Sequence, residues 1–101
     1  MLNRLNQERC HELLNIYGPW PQLMMMIEEC SELQKECCKM FREPERRDFV
    51  PTEGLKEELV DVVVMCEQLC IMCGIGDEIN DLAGQKLKRA VSRARLQQKG
   101  E

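Results

Sequence analysis

Aromatic side chains are scarce in this chain: one Trp, one Tyr and two Phe in 101 residues. Sheets draw on aromatic and β-branched side chains packed across a pleated surface. The apolar content here comes instead from Leu, Met, Val, Ile and Cys, which excludes an all-β fold and favours an all-α one. Histidine occurs once, at His11, without a partner motif, and reads as a surface or interface residue. There is no internal repeat and no low-complexity tract. No stretch joins a basic start, an apolar run and a small-residue cleavage site. The most apolar segment, Leu59 to Gly76, is interrupted by Asp61 and Glu67. The expectation is a cytoplasmic protein with no membrane partner, whose seven cysteines stay free thiols. A net charge of -4 argues against general nucleic-acid binding. The stretch from Lys86 to Lys99 is nevertheless locally basic, which suggests an anion site and not a duplex footprint.

The length fits one domain, residues 1–101, with a modest core. Leu2, Leu5, Leu13 and Ile16 recur at helical spacing and are followed by Gly18-Pro19, so a first helix runs from Leu2 to Tyr17. Pro21 suits the first turn of a second helix that reaches about Phe41 and must end before Pro44. The charged stretch Arg42 to Pro51, bounded by prolines, reads as an exposed, mobile loop. Thr52 caps a third helix with apolar positions at Leu55, Leu59, Val62, Val63, Cys66, Leu69, Cys70 and Cys73, ended by Gly74. Asp77 caps a fourth helix whose apolar side carries Ile79, Leu82, Ala83, Leu87, Ala90 and Ala94.

Carboxylates recur at a spacing of three. Glu29 and Glu32 share one face of the second helix, and Glu58 and Asp61 share one face of the third. Two antiparallel helices bring such pairs together. Asp61 lies between Leu59-Val60 and Val62-Val63-Val64, which places it near the core, where an unpaired carboxylate is costly. Four converging carboxylates need protons, basic partners or a hard cation. An all-oxygen donor set suits magnesium, which leaves coordination positions for water and phosphate oxygens. Hydrolysis of a phosphoanhydride is the chemistry such a site performs.

At these residues the sequence resembles the MazG-like, all-α nucleoside triphosphate pyrophosphohydrolases. Their hallmark is E-x-x-E followed at a distance by E-x-x-D, here Glu29/Glu32 and Glu58/Asp61. The resemblance runs from about Trp20 to Arg93, although Ala90 stands where the family usually has a polar residue, often Asn. It implies a four-helix bundle-type fold assembled as a homodimer or homotetramer. Water would attack the α-phosphorus and release a nucleoside monophosphate and pyrophosphate. By the same resemblance Glu29, Glu32, Glu58 and Asp61 bind magnesium, with manganese as a substitute ion, and Glu32 also takes the proton of the attacking water. Trp20 and Gln22, with Met25 or Met26, suit a nucleobase pocket, since an amide that both donates and accepts lies close to an aromatic ring. Lys86, Arg89 and Arg93, at i, i+3 and i+7 on the fourth helix, are placed to meet the triphosphate.

Two other readings compete. Cys66, Cys70 and Cys73 fall on one helical stripe, with Cys30, Cys37 and Cys38 on the second helix, a pattern that suits core packing better than a zinc or iron–sulfur knuckle. A noncatalytic helical adaptor, dimerising through its apolar faces and binding an acidic partner through its basic C-terminus, is the alternative function.

Overall fold

The first three helix starts among the described residues are each fixed by a local signal. The computed structural model describes residues 2–42 and 48–100, and in them the chain forms four helices and no strand: α1 (Arg4–Tyr17), α2 (Pro19–Phe41), α3 (Glu53–Cys73) and α4 (Gly76–Gly100). The Asn3 side chain accepts from the Asn6 amide at 2.9 Å and caps α1. Thr52 Oγ1 accepts from the Leu55 amide at 3.0 Å and caps α3 as its sequence predicts. Between α1 and α2 the backbone of Gly18 takes φ 82°, a conformation open to glycine and strained for other residues. Its amide closes the last turn of α1 on the Leu14 carbonyl, and Pro19 supplies a pre-set φ for the start of α2. The second helix therefore begins at Pro19, two residues before Pro21, and takes Trp20 into its first turn. Of the expected loop from Arg42 to Pro51, residues 43–47 lie outside the described residues, while Arg42 and the run from Asp48 to Pro51 are exposed.

Packing is dominated by α2 against α3, with α1 laid on both. The buried residues are few: Cys10, Gln22, Met65 and Gln68. The core face of α3 runs through Glu58, Val62, Met65 and Gln68, while Leu59 and Val60 are at least half exposed. Of the expected apolar line, Leu55, Val62, Val63, Cys66, Leu69 and Cys70 are half-buried, whereas Leu59 and Cys73 are exposed; the segment from Leu59 to Val64 is apolar on nearly every side and gives its phase only weakly. Gln22 Nε2 donates to Gln68 Oε1 at 2.7 Å, joining α2 and α3 through a buried amide pair. Gln22→Leu leaves a buried acceptor without its donor and is expected to cost about 1–3 kcal/mol in urea unfolding. The double variant Gln22→Leu/Gln68→Leu should recover most of that loss. Equal destabilisation of the two would contradict this role for the pair.

The α3–α4 junction is a Schellman turn. Gly74 adopts the left-handed conformation, its amide reaches the Ile71 carbonyl, and the Ile75 amide reaches Cys70. The fourth helix starts at Gly76 with the Ile79 amide on the Ile75 carbonyl, so Asp77 sits in its first turn and does not cap it. The chain bends by 119° at this break. As a result α4 meets only α3 and touches neither α1 nor α2, so the four helices do not close into one bundle within a single chain. No single helix among the described residues is long and apolar enough to cross a membrane.

Candidate functional site

Where α2 crosses α3, three carboxylates meet. One oxygen from each of Glu29, Glu58 and Asp61 lies within 4.8 Å of the other two. Glu29 projects from the core-facing side of α2, and Glu58 and Asp61 from successive turns of α3, so the antiparallel pairing of the two helices assembles the cluster. Among the described residues no Lys or Arg forms an ion pair with any of the three. Burial, and then the charges of Asp61 and Glu58, push the Glu29 carboxyl from its ordinary value of 4.5 up to about 7. Glu58 Oε2 is buried without a hydrogen-bond partner. Three carboxylate oxygens so placed, one of their residues carrying an orphaned oxygen, form an all-oxygen group that could hold a metal ion.

Beside the cluster lies an open cleft of about 600 Å³. Leu13, Tyr17, Met24, Met25, Val64 and Met65 give it apolar walls. Glu29 and Asp61 line it together with the Gln22–Gln68 amide pair. A second, shallower cleft is lined by Lys56, Glu57, Val60 and Asp61, so Asp61 borders both. An apolar slot with a few convergent polar groups is the usual form of a small-molecule site, and one edged by carboxylates suits a ligand that arrives with cations. The pocket-lining role of Gln68 escapes a reading based on acidic spacing. It lies one turn beyond Met65 and two beyond Asp61, and following the helical period from Asp61 would have found it.

The expected site residues divide sharply. Glu29, Glu58 and Asp61 come together, and Gln22 and Met25 line the adjoining cleft. Asp61, however, is exposed, while Glu29 and Glu58 are half-buried, and the buried oxygen without a partner belongs to Glu58. Glu32 stands outside the cluster, with its Oε1 3.1 Å from Lys35 Nζ on the same helix. That pair is exposed and spaced i, i+3, worth a few tenths of a kcal/mol. Trp20 is 77% exposed and does not line the cleft, because the early start of α2 carries it to the outer side. Lys86, Arg89 and Arg93 are exposed on α4, which the Schellman turn carries away from α2 and from this chain's own carboxylates.

All seven cysteines are free thiols. Cys10 is buried and Cys30, Cys66 and Cys70 are half-buried, whereas Cys37, Cys38 and Cys73 are exposed. Burial and then the neighbouring Cys30 and Cys70 push the Cys66 thiol up. Protonated thiols of this kind behave as small apolar side chains. Among the described residues the carboxylate trio is the one group of His, Cys, Asp or Glu side chains close enough together that it could hold a metal ion. No family model matches the chain, and no curated protein and no solved structure matches it significantly.

Proposed function

We propose that this chain is a magnesium-dependent nucleoside triphosphate pyrophosphohydrolase of the MazG-like, all-α kind, acting as a cytoplasmic oligomer. The observation that carries the reading is the Glu29–Glu58–Asp61 cluster, with the orphaned Glu58 oxygen, at the edge of an apolar cleft. Bound there, magnesium supplies positive charge to the phosphate oxygens and a fixed place for the attacking water. Manganese, with the same taste for oxygen donors, substitutes for it.

The residues of the chain do the rest. Glu29, Glu58 and Asp61 would hold the ion, with Glu32, one turn from Glu29 on α2, as the fourth carboxylate. The Glu32 carboxylate would accept the proton of the water that attacks the α-phosphorus. The base enters the cleft between Tyr17, Met24 and Met25, and the Gln22–Gln68 pair offers it both a donor and an acceptor. The Met-rich wall adapts to ring shape, while the amides fix orientation.

With magnesium, a panel of nucleoside triphosphates should yield monophosphate and pyrophosphate, resolved by chromatography, and chelator should abolish the reaction. Diphosphate with orthophosphate would contradict attack at the α-phosphorus. A noncatalytic adaptor is the second reading, favoured by the exposed apolar residues of α4, Ile79, Leu82, Leu87 and Val91. It predicts no hydrolysis and no change in melting temperature on adding magnesium.

A further inference from the structure

Gly54 is a glycine that no backbone angle requires. Among the described residues the positive-φ glycines are Gly18 and Gly74, whereas Gly54 is the second residue of α3. Glycine so placed does nothing for a helix, and the reason for it lies in what comes close. The Glu36 side chain of α2 lies against it. A Cβ at Gly54 would stand 2.6 Å from Glu36 Oε2, 2.8 Å from its Cδ and 3.1 Å from its Oε1, closer than a methyl and a carboxyl group can approach. The Glu36 side chain is only 17% exposed, and Lys39 Nζ holds its Oε1 at 2.8 Å from the α2 side. From the other side it meets the first turn of α3, where unpaired amides and the positive end of the helix dipole favour a carboxylate.

This contact is the end rung of a ladder. Gln22 meets Gln68, Glu29 meets Asp61, and Glu36 meets Gly54, so each rung lies seven residues from the next on α2 and on α3 alike. Seven residues make nearly two turns, about 10.5 Å along the axis, and return to nearly the same face. The carboxylate cluster is therefore the middle rung, braced on one side by the amide pair and on the other by Glu36 on Gly54. Glu58 lies one turn beyond Gly54 on α3, so the outer rung governs the turn that carries the orphaned Oε2 into the cluster. Glu36 also shares the α2 face of Glu29 and Glu32, which by acidic spacing alone would make it a further ligand. Its oxygens are committed instead to Lys39 and Gly54, and it stands outside the group that could hold an ion.

We infer that Glu36 is a positioning residue for the carboxylate site. Seated against Gly54, it sets the separation of α2 and α3 at the turn that carries Glu58, and with it the fit of Glu29, Glu58 and Asp61 to one divalent ion. The inference rests on the proposed function for the identity of that ion, magnesium. A metal site works only while its ligands keep their places to within about 0.5 Å, so a shift at this end of the helix pair is read as lost affinity. Gly54 serves the same end by leaving room for the Glu36 carboxylate.

Calorimetric titration of the full chain with magnesium alone tests this. Gly54→Ala keeps every carboxylate and places a methyl where the Glu36 oxygens lie. Those oxygens end a flexible side chain, so the carboxylate swings aside, and alanine suits a helix better than glycine does; the fold is kept. Magnesium affinity should nevertheless fall about tenfold. Glu36→Ala should lose a similar amount, and in that background Gly54→Ala should cost nothing further, because the methyl then enters vacated space. Glu36→Gln keeps the shape of the side chain and should bind magnesium nearly as wild type does. Helical circular dichroism and urea midpoints of the same samples confirm that each variant is folded. Unchanged affinity in Gly54→Ala, or an equal loss from it in both backgrounds, overturns the positioning role. A loss in Glu36→Gln as great as in Glu36→Ala makes Glu36 a ligand of the ion and overturns it too. If the wild-type chain binds no magnesium, the proposed function falls and this inference with it, whereas failure confined to the variants leaves the proposed function standing.

Discussion

Glu58→Gln should abolish hydrolysis by orders of magnitude and yet leave the metal-free protein as stable as wild type or more so. The two effects separate because the residue has two kinds of neighbour. With magnesium, the change removes a charged ligand from the ion and weakens the positive field at the phosphates. In chelator, Glu58 faces Glu29 and Asp61, its Oε2 is buried without a partner, and no cation among the described residues compensates it. A neutral amide relieves that repulsion and can donate to either neighbour. The gain in melting temperature on adding magnesium should shrink in parallel. Asp61→Asn should follow the same pattern with a smaller effect on stability, because Asp61 is exposed. Paired melting curves of each variant and wild type, in chelator and in magnesium, make the comparison. Marked destabilisation in chelator, with an unchanged magnesium response, would mean that these carboxylates serve as structural ion-pair partners, as the adaptor reading requires.

Proton release on metal binding should depend steeply on pH. The Glu29 carboxyl, displaced from 4.5 to about 7 by burial, Asp61 and Glu58, keeps its proton in the folded state through a window where the unfolded chain has lost it. Stability of the metal-free protein is therefore highest at the acid side of that window and falls as pH rises from about 4.5 to about 7, because the folded state binds more protons than the unfolded one there. Magnesium must displace that proton. Calorimetric titration in buffers of different ionisation heat should show about one proton released per ion near pH 6 and almost none near pH 8.5. Apparent magnesium affinity should rise over the same interval. Proton release near zero at both pH values would remove Glu29 from the site.

The helices were legible in the sequence because their signals are local: Thr52, Gly18-Pro19 and Gly74 each act within one turn. Three of four expected carboxylates meet because spacing along a helix translates directly into a face. What the sequence concealed depends on competition or on long-range geometry. Glu32 shares its face with Glu29, but its carboxylate pairs with Lys35, three residues away on the same helix. Asp61 sits among valines yet is exposed, because α3 is apolar on more sides than one chain covers and Val60 beside it is exposed too. The direction of α4 follows from the turn at Gly74 and Ile75, and with it the distance of Lys86, Arg89 and Arg93 from this chain's carboxylates. The all-α class was therefore readable, whereas the direction that α4 takes away from the other helices was not.

Oxygen-18 water reads directly the proposed step, cation-assisted attack of water at the α-phosphorus of a nucleoside triphosphate. A single turnover in labelled water with magnesium should place one heavy oxygen in the nucleoside monophosphate and none in the pyrophosphate, with no turnover in chelator. Label in pyrophosphate or orthophosphate, or turnover that persists without a divalent ion, would contradict it.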